Sequence, residues 1–225
     1  QPVVSGYVKT HLYTLPAETD IVSAAVTANL CFEAVIGDDT LAHVSVEGLA
    51  DWASDPQYGF SLKEAYVDYL AGESFAVKVG KQIVAWGLAD GTNPTDLVNP
   101  KTVGTRYTTS LDEQKIATLI ARATWYLGDR SQIDAVIMPA FTPNDLPDIG
   151  TETLPDLSLE NMEGGLRALF SFGNLSFSGS YLYIFDRYPD IDSFNPGPPP
   201  SLGLTYSRIH ALGLDMQTSA LGFDL

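Results

Sequence analysis

The sequence predicts an all-β chain, an up-and-down antiparallel transmembrane β-barrel with about ten or eleven strands present. Three observations predict it: a two-residue polarity period along most of the chain, strands longer than soluble sheets use, and a strict alternation of tight turns with long loops.

The period is clearest between Val22 and Ala34. Val22, Ala24, Val26, Ala28, Leu30, Phe32 and Ala34 are apolar, whereas Ser23, Thr27, Asn29, Cys31 and Glu33 between them are small or polar. A helix would have to bury this mixture on every side, whereas a strand sorts it onto two faces. The same sorting sets His43, Ser45, Glu47 and Asp51 against Ala42, Val44, Val46, Ala50 and Trp52. It recurs where Ser176, Ser178 and Ser180 oppose Phe177, Tyr181, Tyr183 and Phe185. On this basis strands are expected at 3–15, 21–36, 41–53, 62–71, 75–86, 115–127, 132–141, 159–172, 175–187 and 202–215, with another starting near Ala220. Many reach the roughly ten residues that a tilted strand needs to cross a bilayer.

The connections alternate in length. Gly37-Asp38-Asp39-Thr40, Gly72-Glu73-Ser74, Gly128-Asp129-Arg130-Ser131 and Gly173-Asn174 are tight turns. Between them fall longer loops near 54–61, 87–114, 142–158 and 188–201, after a modest first loop from Pro16 to Asp20. All long loops therefore gather at one end, as in outer-membrane barrels. The stretch Pro196-Gly197-Pro198-Pro199-Pro200 is a stiff connector inside one domain covering 1–225, because strand character resumes directly after it.

Composition narrows function. Charged residues make up 18% of the 225 residues, and 12 Lys plus Arg against 28 Asp plus Glu leave a net charge of −16. That balance excludes nucleic-acid binding by phosphate neutralisation and adhesion to anionic lipid through a basic patch. A single cysteine, Cys31, forms no intrachain disulfide, and no Cys/His spacing suits zinc, so neither metal nor cofactor is expected. The most apolar stretch, Ile21 to Phe32, is too short for a transmembrane helix. Without an initiator Met or a signal-peptide core, the chain is expected to begin at a processed N-terminus or inside an expressed fragment.

Alternation defines two faces. One carries Val4, Val8, Leu12, Val26, Leu30, Leu119, Trp125, Ile133, Ile137, Phe141 and Phe170. The other carries the candidate pore-lining residues Lys9, His11, Glu33, His43, Glu47, Asp51, Glu64, Asp68, Lys78, Arg122, Asp134, Glu163, Arg167, Asp186 and Arg208. Alternation alone also fits a soluble barrel or sandwich with the faces reversed. Scarce charge outside loops and polar strand positions, aromatics near strand ends, and an apolar face thinned by Ala and Gly favour lipid outside. Two places break parity: Lys81 would face lipid unless Gly80 marks a bulge, and Arg208-Ile209-His210 followed by Gly213 and Asp215 has the same difficulty.

Between Phe75 and Val103 stand Gly80-Lys81-Gln82, Trp86-Gly87, Ala89-Asp90, Asn93-Pro94 with Asp96, and Asn99-Pro100, preceded by Leu62-Lys63-Glu64-Ala65-Tyr66-Val67-Asp68-Tyr69. This unit, with the later Arg208 to Gly213, resembles porin-like outer-membrane proteins of Gram-negative bacteria, of the porin or alginate-export type. The resemblance covers about a third of the chain. It implies a barrel longer than this chain, which would be its N-terminal part, and makes Trp86, Gly87, Asp90, Asn93, Pro94, Asp96, Asn99 and Pro100 the family-motif loop. That loop either folds into the lumen or caps the external mouth.

Other chemistries are weaker. His43, Ser45 and Glu47 share a strand face as a hydrolase cluster could, but no nucleophile elbow or oxyanion-hole sequence accompanies them. Glu64 and Asp68 fit a solvated wall better than a glycosidase pair. Asp90, Asn93 and Asp96, or Asp190 and Asp192, lack EF-hand spacing and read as turn residues. Cys31 is given no role. The expectation is a non-enzymatic channel passing small hydrophilic solutes or ions passively, with weak cation preference because inward acids outnumber bases. Its partners are the lipid bilayer and its solutes, not nucleic acid. Its location is the bacterial outer membrane, and monomer and homo-oligomer both remain open.

Overall fold

Alternating polarity drives consecutive segments of this chain into neighbouring antiparallel pairs. The computed structural model describes residues 2–14, 21–52, 56–88, 94–103, 114–147, 150–197, 200–220 and 223–224. The strands are β1 (Val3–Thr14), β2 (Ile21–Ile36), β3 (Thr40–Asp51), β4 (Gln57–Leu70), β5 (Phe75–Gln82), β6 (Thr118–Tyr126), β7 (Gln132–Met138), β8 (Thr151–Glu152), β9 (Glu163–Phe172), β10 (Leu175–Phe185), β11 (Asp190–Asn195), β12 (Ser201–Thr205), β13 (Arg208–Ala220) and β14 (Phe223–Asp224). The chain is all-β. Its main sheet has eleven strands in the order β1-β2-β3-β4-β5-β6-β7-β9-β10-β13-β14, with every neighbouring pair antiparallel. The sheet is open, with β1 and β14 at its edges. Where the long connections meet, β11, β12 and β8 form a separate three-stranded sheet.

Each short turn carries a glycine with positive φ: Gly37 (67°), Gly72 (74°), Gly128 (98°) and Gly173 (60°). Tight reversals need this region, which an L side chain enters only at a cost. Register keeps one set of residues in line across the sheet. Val67, Val79, Ala121, Ile137, Gly164, Tyr183 and His210 form one continuous row from β4 to β13. The register shifts at two places in this sheet: in β4, where Ser45 faces Glu64 but Val46 faces Leu62, leaving Lys63 as an extra residue, and at the end of the β1–β2 pair, where Tyr13 faces Ser23 but Thr14 faces Ile21.

Several boundaries differ from the sequence expectation. β4 starts at Gln57, inside the expected 54–61 loop, because Tyr58 and Phe60 continue the pairing with Ala50 and Gly48. β5 stops at Gln82 rather than residue 86, since the Asn99 side chain replaces the next ladder bonds. The segment expected as one strand at 202–215 is two: β12 joins the small sheet and β13 begins afresh at Arg208. A 3₁₀ turn, Leu159–Asn161, precedes β9.

The apolar core is not formed between two sheets. Val84, Trp86 and Val98 from the connection after β5 pack on Ile120, Val136, Met138, Leu182 and Ile184, which share one face of the sheet. Residues 95–99 of the expected 87–114 loop therefore lie against that face, here called inner, whereas residues 101–103 pair with Asn144 and Asp145 in the connection after β7.

Candidate functional site

Register sorts the candidate lining residues. Lys9, His11, Glu33, His43, Glu47, Asp51, Glu64, Asp68, Lys78, Arg122, Asp134, Glu163 and Arg167 all belong to the inner face. The outer face is apolar: Val8 is 70% exposed, Leu119 49%, Ile137 50%, Leu166 57% and Leu214 88%. Among the described residues the large exposed apolar and aromatic side chains far outnumber the buried ones, whereas Asp134, Glu163 and Arg167 are buried. This inverts the polarity of a solvated domain.

Two expected lining residues fall elsewhere. Arg208 opens β13 opposite Phe185, so it projects with Leu212 and Leu214 on the outer face. There it donates to the carbonyls of Met162 (3.0 Å) and Glu160 (3.1 Å) and lies over the Phe185 and Tyr183 rings at 4.1 and 4.5 Å. Starting the strand at Arg208 sends Ile209, Ala211, Gly213 and Asp215 inward, so the parity of this segment is regular after all. Asp186 lies past β10 and caps a bend by accepting the Tyr188 N–H at 2.9 Å.

Lys81 does project outward, and Gly80 does not reset the alternation. The Lys81 ammonium donates to the Leu62 carbonyl, beside the Lys63 bulge, at 2.6 Å. Gly80 has φ +140°, and a Cβ there would meet the Ala65 carbonyl and the Tyr66 backbone. Close strand approach, not a bulge, is what requires this glycine.

The inner face is held by charge-assisted bonds. Asp134 is fully buried; its Oδ1 accepts from Arg122 Nη2 at 2.7 Å and from Thr124 Oγ1 at 2.8 Å. Its Oδ2 accepts from Arg167 Nη2 at 2.7 Å and from Gln132 Nε2 at 2.9 Å. Arg167 also donates to the Ala85 carbonyl at 3.0 Å and stacks over the Trp86 ring at 4.9 Å, tying the inward loop to β9. Lys63 pairs with Glu47 at 3.2 Å and Lys78 with Asp68 at 3.1 Å.

The motif loop owes its inward course to Asn99. Its side-chain oxygen accepts the Val84 N–H at 2.7 Å, while its amide donates to the Gln82 and Ile116 carbonyls at 3.1 and 3.0 Å. One buried amide thereby joins the end of β5 to the approach to β6. Nearby, the Asp96 carboxylate meets Lys115 Nζ at 2.6 Å, and Thr95 Oγ1 donates to Asp215 at 2.7 Å across Gly213. A Cβ at Gly213 would stand 2.9 Å from Thr95 Cγ2, so the glycine makes room for this contact. Trp86 and Pro100 are buried, Gly87 is half-buried and Pro94 exposed; Asp90 and Asn93 lie outside the described residues. Asn99→Ala is expected to destabilise the chain by about 3 kcal/mol, three buried backbone groups losing partners at about 1 kcal/mol each. Denaturant unfolding of the variant in detergent checks this.

Sequence reasoning missed Arg187. It is 6% exposed and donates to Glu163 (3.0 Å), Thr142 O (3.1 Å) and Val98 O (3.1 Å), joining three connections at the loop end. Burial pushes its guanidinium below the usual arginine range, and the Glu163 carboxylate opposes that shift. Its only sequence signal is a scarce basic residue directly after an apolar strand.

The weaker chemistries are not assembled. Ser45 Oγ accepts from Asn29 at 2.9 Å, while His43 meets Glu33 at 3.1 Å. Glu64 accepts the Ile83 N–H at 2.9 Å and Asp68 is paired with Lys78, so each carboxylate has its own partner. Asp190 and Asp192 are exposed along β11. Cys31, which the sequence left without a role, stands beside His43 and Glu33 across the β2–β3 pair.

Among the described residues no helix is long and apolar enough to cross a membrane, which bears only on helical spans. The family model described as a protein of unknown function (DUF1302) matches residues 34–199. No curated protein and no solved structure matches the chain.

Proposed function

The chain belongs to the DUF1302 family, and from that premise we propose that it forms the wall of a porin-like channel in the outer membrane of a Gram-negative bacterium. The sheet would complete an up-and-down barrel, lipid lying against its apolar face, and small hydrophilic solutes or ions would diffuse along the charged one. No chemical step is part of this function.

The observation that carries the reading is the polarity of the meander: the outer face of the described strands is apolar apart from Lys81, Arg208 and His210, and the other strand charges gather on the inner face around the apolar cluster that the loop covers. Water outside would leave the exposed leucines, valines and aromatics as a very large unpartnered patch. Hydrocarbon outside turns the same residues into a favourable interface. Aromatics at both strand ends support this: Tyr69, Phe75, Trp125 and Phe172 near the turns, and Trp52, Tyr58 and Tyr183 near the loops, are all exposed. They suit the two interfacial girdles, where amphipathic rings meet lipid headgroups. Lys81 and Arg208 lie at the loop end of their strands, where a long cationic side chain reaches water and headgroups.

Permeation would then be electrostatic. Glu33, Glu47, Glu64 and Asp68 make the β2–β4 wall acidic, while Arg122 and Arg167 flank Asp134 farther round the sheet. The loop around Trp86 and Asn99 narrows the path on the inner face. Weak cation preference follows from the excess of carboxylates. The test is conductance of the full-length protein in a planar bilayer under a salt gradient. Discrete openings with a cation-sided reversal potential are expected, and Glu47→Gln with Asp68→Asn should move that potential toward anions. Absence of openings at every voltage would sink the proposal.

A further inference from the structure

Antiparallel pairing of β2 with β3 places Glu33 directly opposite His43, and Cys31 lies two residues along on the same inner face. Glu33 Oε1 is 3.1 Å from His43 Nδ1, and Cys31 Sγ is 3.7 Å from Nδ1 and 3.9 Å from Nε2. One ligand atom from each residue falls within 4.8 Å of the others. We propose that Cys31, Glu33 and His43 form a binding site for a borderline-soft divalent cation, with Zn²⁺ as its type.

Two of the three separations are close to those such an ion imposes, and the third, sulfur to oxygen, is within 4.8 Å. With Zn–S near 2.3 Å and Zn–N and Zn–O near 2.0–2.1 Å, tetrahedral angles put sulfur about 3.6 Å from nitrogen and nitrogen about 3.3 Å from oxygen. The observed 3.7 and 3.1 Å need only small side-chain adjustments. A Cys–His–Glu proton relay needs a different arrangement, with thiol and carboxylate on opposite ring nitrogens. Here the thiol is almost equidistant from both nitrogens and the carboxylate sits on Nδ1.

The surroundings suit a cation. The His43 ring is 11% exposed and stacks on Tyr66 at 4.6 Å and 8°, which limits its motion. Glu64 adds a further carboxylate on the adjoining strand, while Glu47 and Asp68 are paired with Lys63 and Lys78. One sulfur, one nitrogen and one oxygen favour Zn²⁺ over Ca²⁺ or Mg²⁺, which want all-oxygen shells. On binding, the Cys31 thiol proton leaves to solvent as the metal–sulfur bond forms, His43 binds as neutral imidazole, and three protein ligands leave a fourth position for water. The site depends on two paired strands alone and stands whether or not the chain conducts ions.

The experiment uses the full chain in detergent micelles, with Co²⁺ and Zn²⁺ as probes. Co²⁺ is expected to give a sulfur-to-metal charge-transfer band, and Zn²⁺ to slow maleimide alkylation of Cys31 by about ten-fold, with Ca²⁺ and Mg²⁺ ineffective. Cys31→Ser should abolish the band, and His43→Gln should weaken binding by about ten-fold or more. The wild-type measurements need no variant to fold. No band and no protection in the wild-type protein would overturn the site. Equal protection by Ca²⁺, or Zn²⁺ binding unchanged in both variants, would do so as well.

Discussion

Leu30→Arg should lower stability in lipid vesicles by about 2–4 kcal/mol, the cost of a cation on the lipid face of a barrel near mid-depth. Leu30 lies mid-strand in β2, in line with Gly6 and Val46, and is 43% exposed on the apolar face. Asn29→Arg, one residue away, provides the contrast. Its side chain belongs to the inner face, and it should fold and insert nearly as the parent does. Equilibrium unfolding of both variants from vesicles measures the difference. If the outer face met water, Leu30→Arg would cost almost nothing and improve solubility, so equal stabilities for the pair would refute a lipid-facing sheet. Sequence neighbours with opposite outcomes are the signature of a two-residue period.

Asp134→Ala should be the most damaging substitution on the inner face, at about 3–5 kcal/mol. The carboxylate has no exposed surface and bridges Arg122, with 22% of its side chain exposed, and Arg167, with 6%. Removing it leaves two guanidinium groups close together without a counter-charge, that of Arg167 buried, and Thr124 and Gln132 lose their acceptor. Asp134→Asn keeps some of these bonds and should lose less. Replacing Arg122, Asp134 and Arg167 together by apolar residues should recover much of the loss, because a buried ion triad and a packed apolar set differ little in net stability. Denaturant titration orders the three variants. A loss for Asp134→Ala below about 0.5 kcal/mol would show that solvent reaches the cluster and screens it.

Much of the architecture was legible in the sequence because strand periodicity is local. Runs such as Val22–Ala34 sort themselves without knowing their partners, and glycine-bearing turns fix which strands become neighbours. Hence the meander order and the gathering of the expected lining residues from Lys9 to Arg167 on one sheet face agree with the sequence reading, whereas Arg208 and Asp186 fall elsewhere. Arg208 and Asp215 stand seven residues apart on one strand and so fall on opposite faces; pairing of Asp215 with Ser178 sends it inward and leaves the expected lining residue Arg208 outward, opposite Phe185. Lys81 looked anomalous because its acceptor, the Leu62 carbonyl, lies on another strand at a bulge.

What the sequence determined by itself is therefore a sheet with one greasy and one ionisable surface, since side-chain alternation follows from the geometry of a single extended strand. Only the tertiary structure decided that the motif loop turns onto the charged surface, that Asn99 and Arg187 pin it there, and that Cys31 comes to stand beside His43 and Glu33. Those contacts join residues far apart in the chain, and their energies depend on distances that only the folded pairing sets.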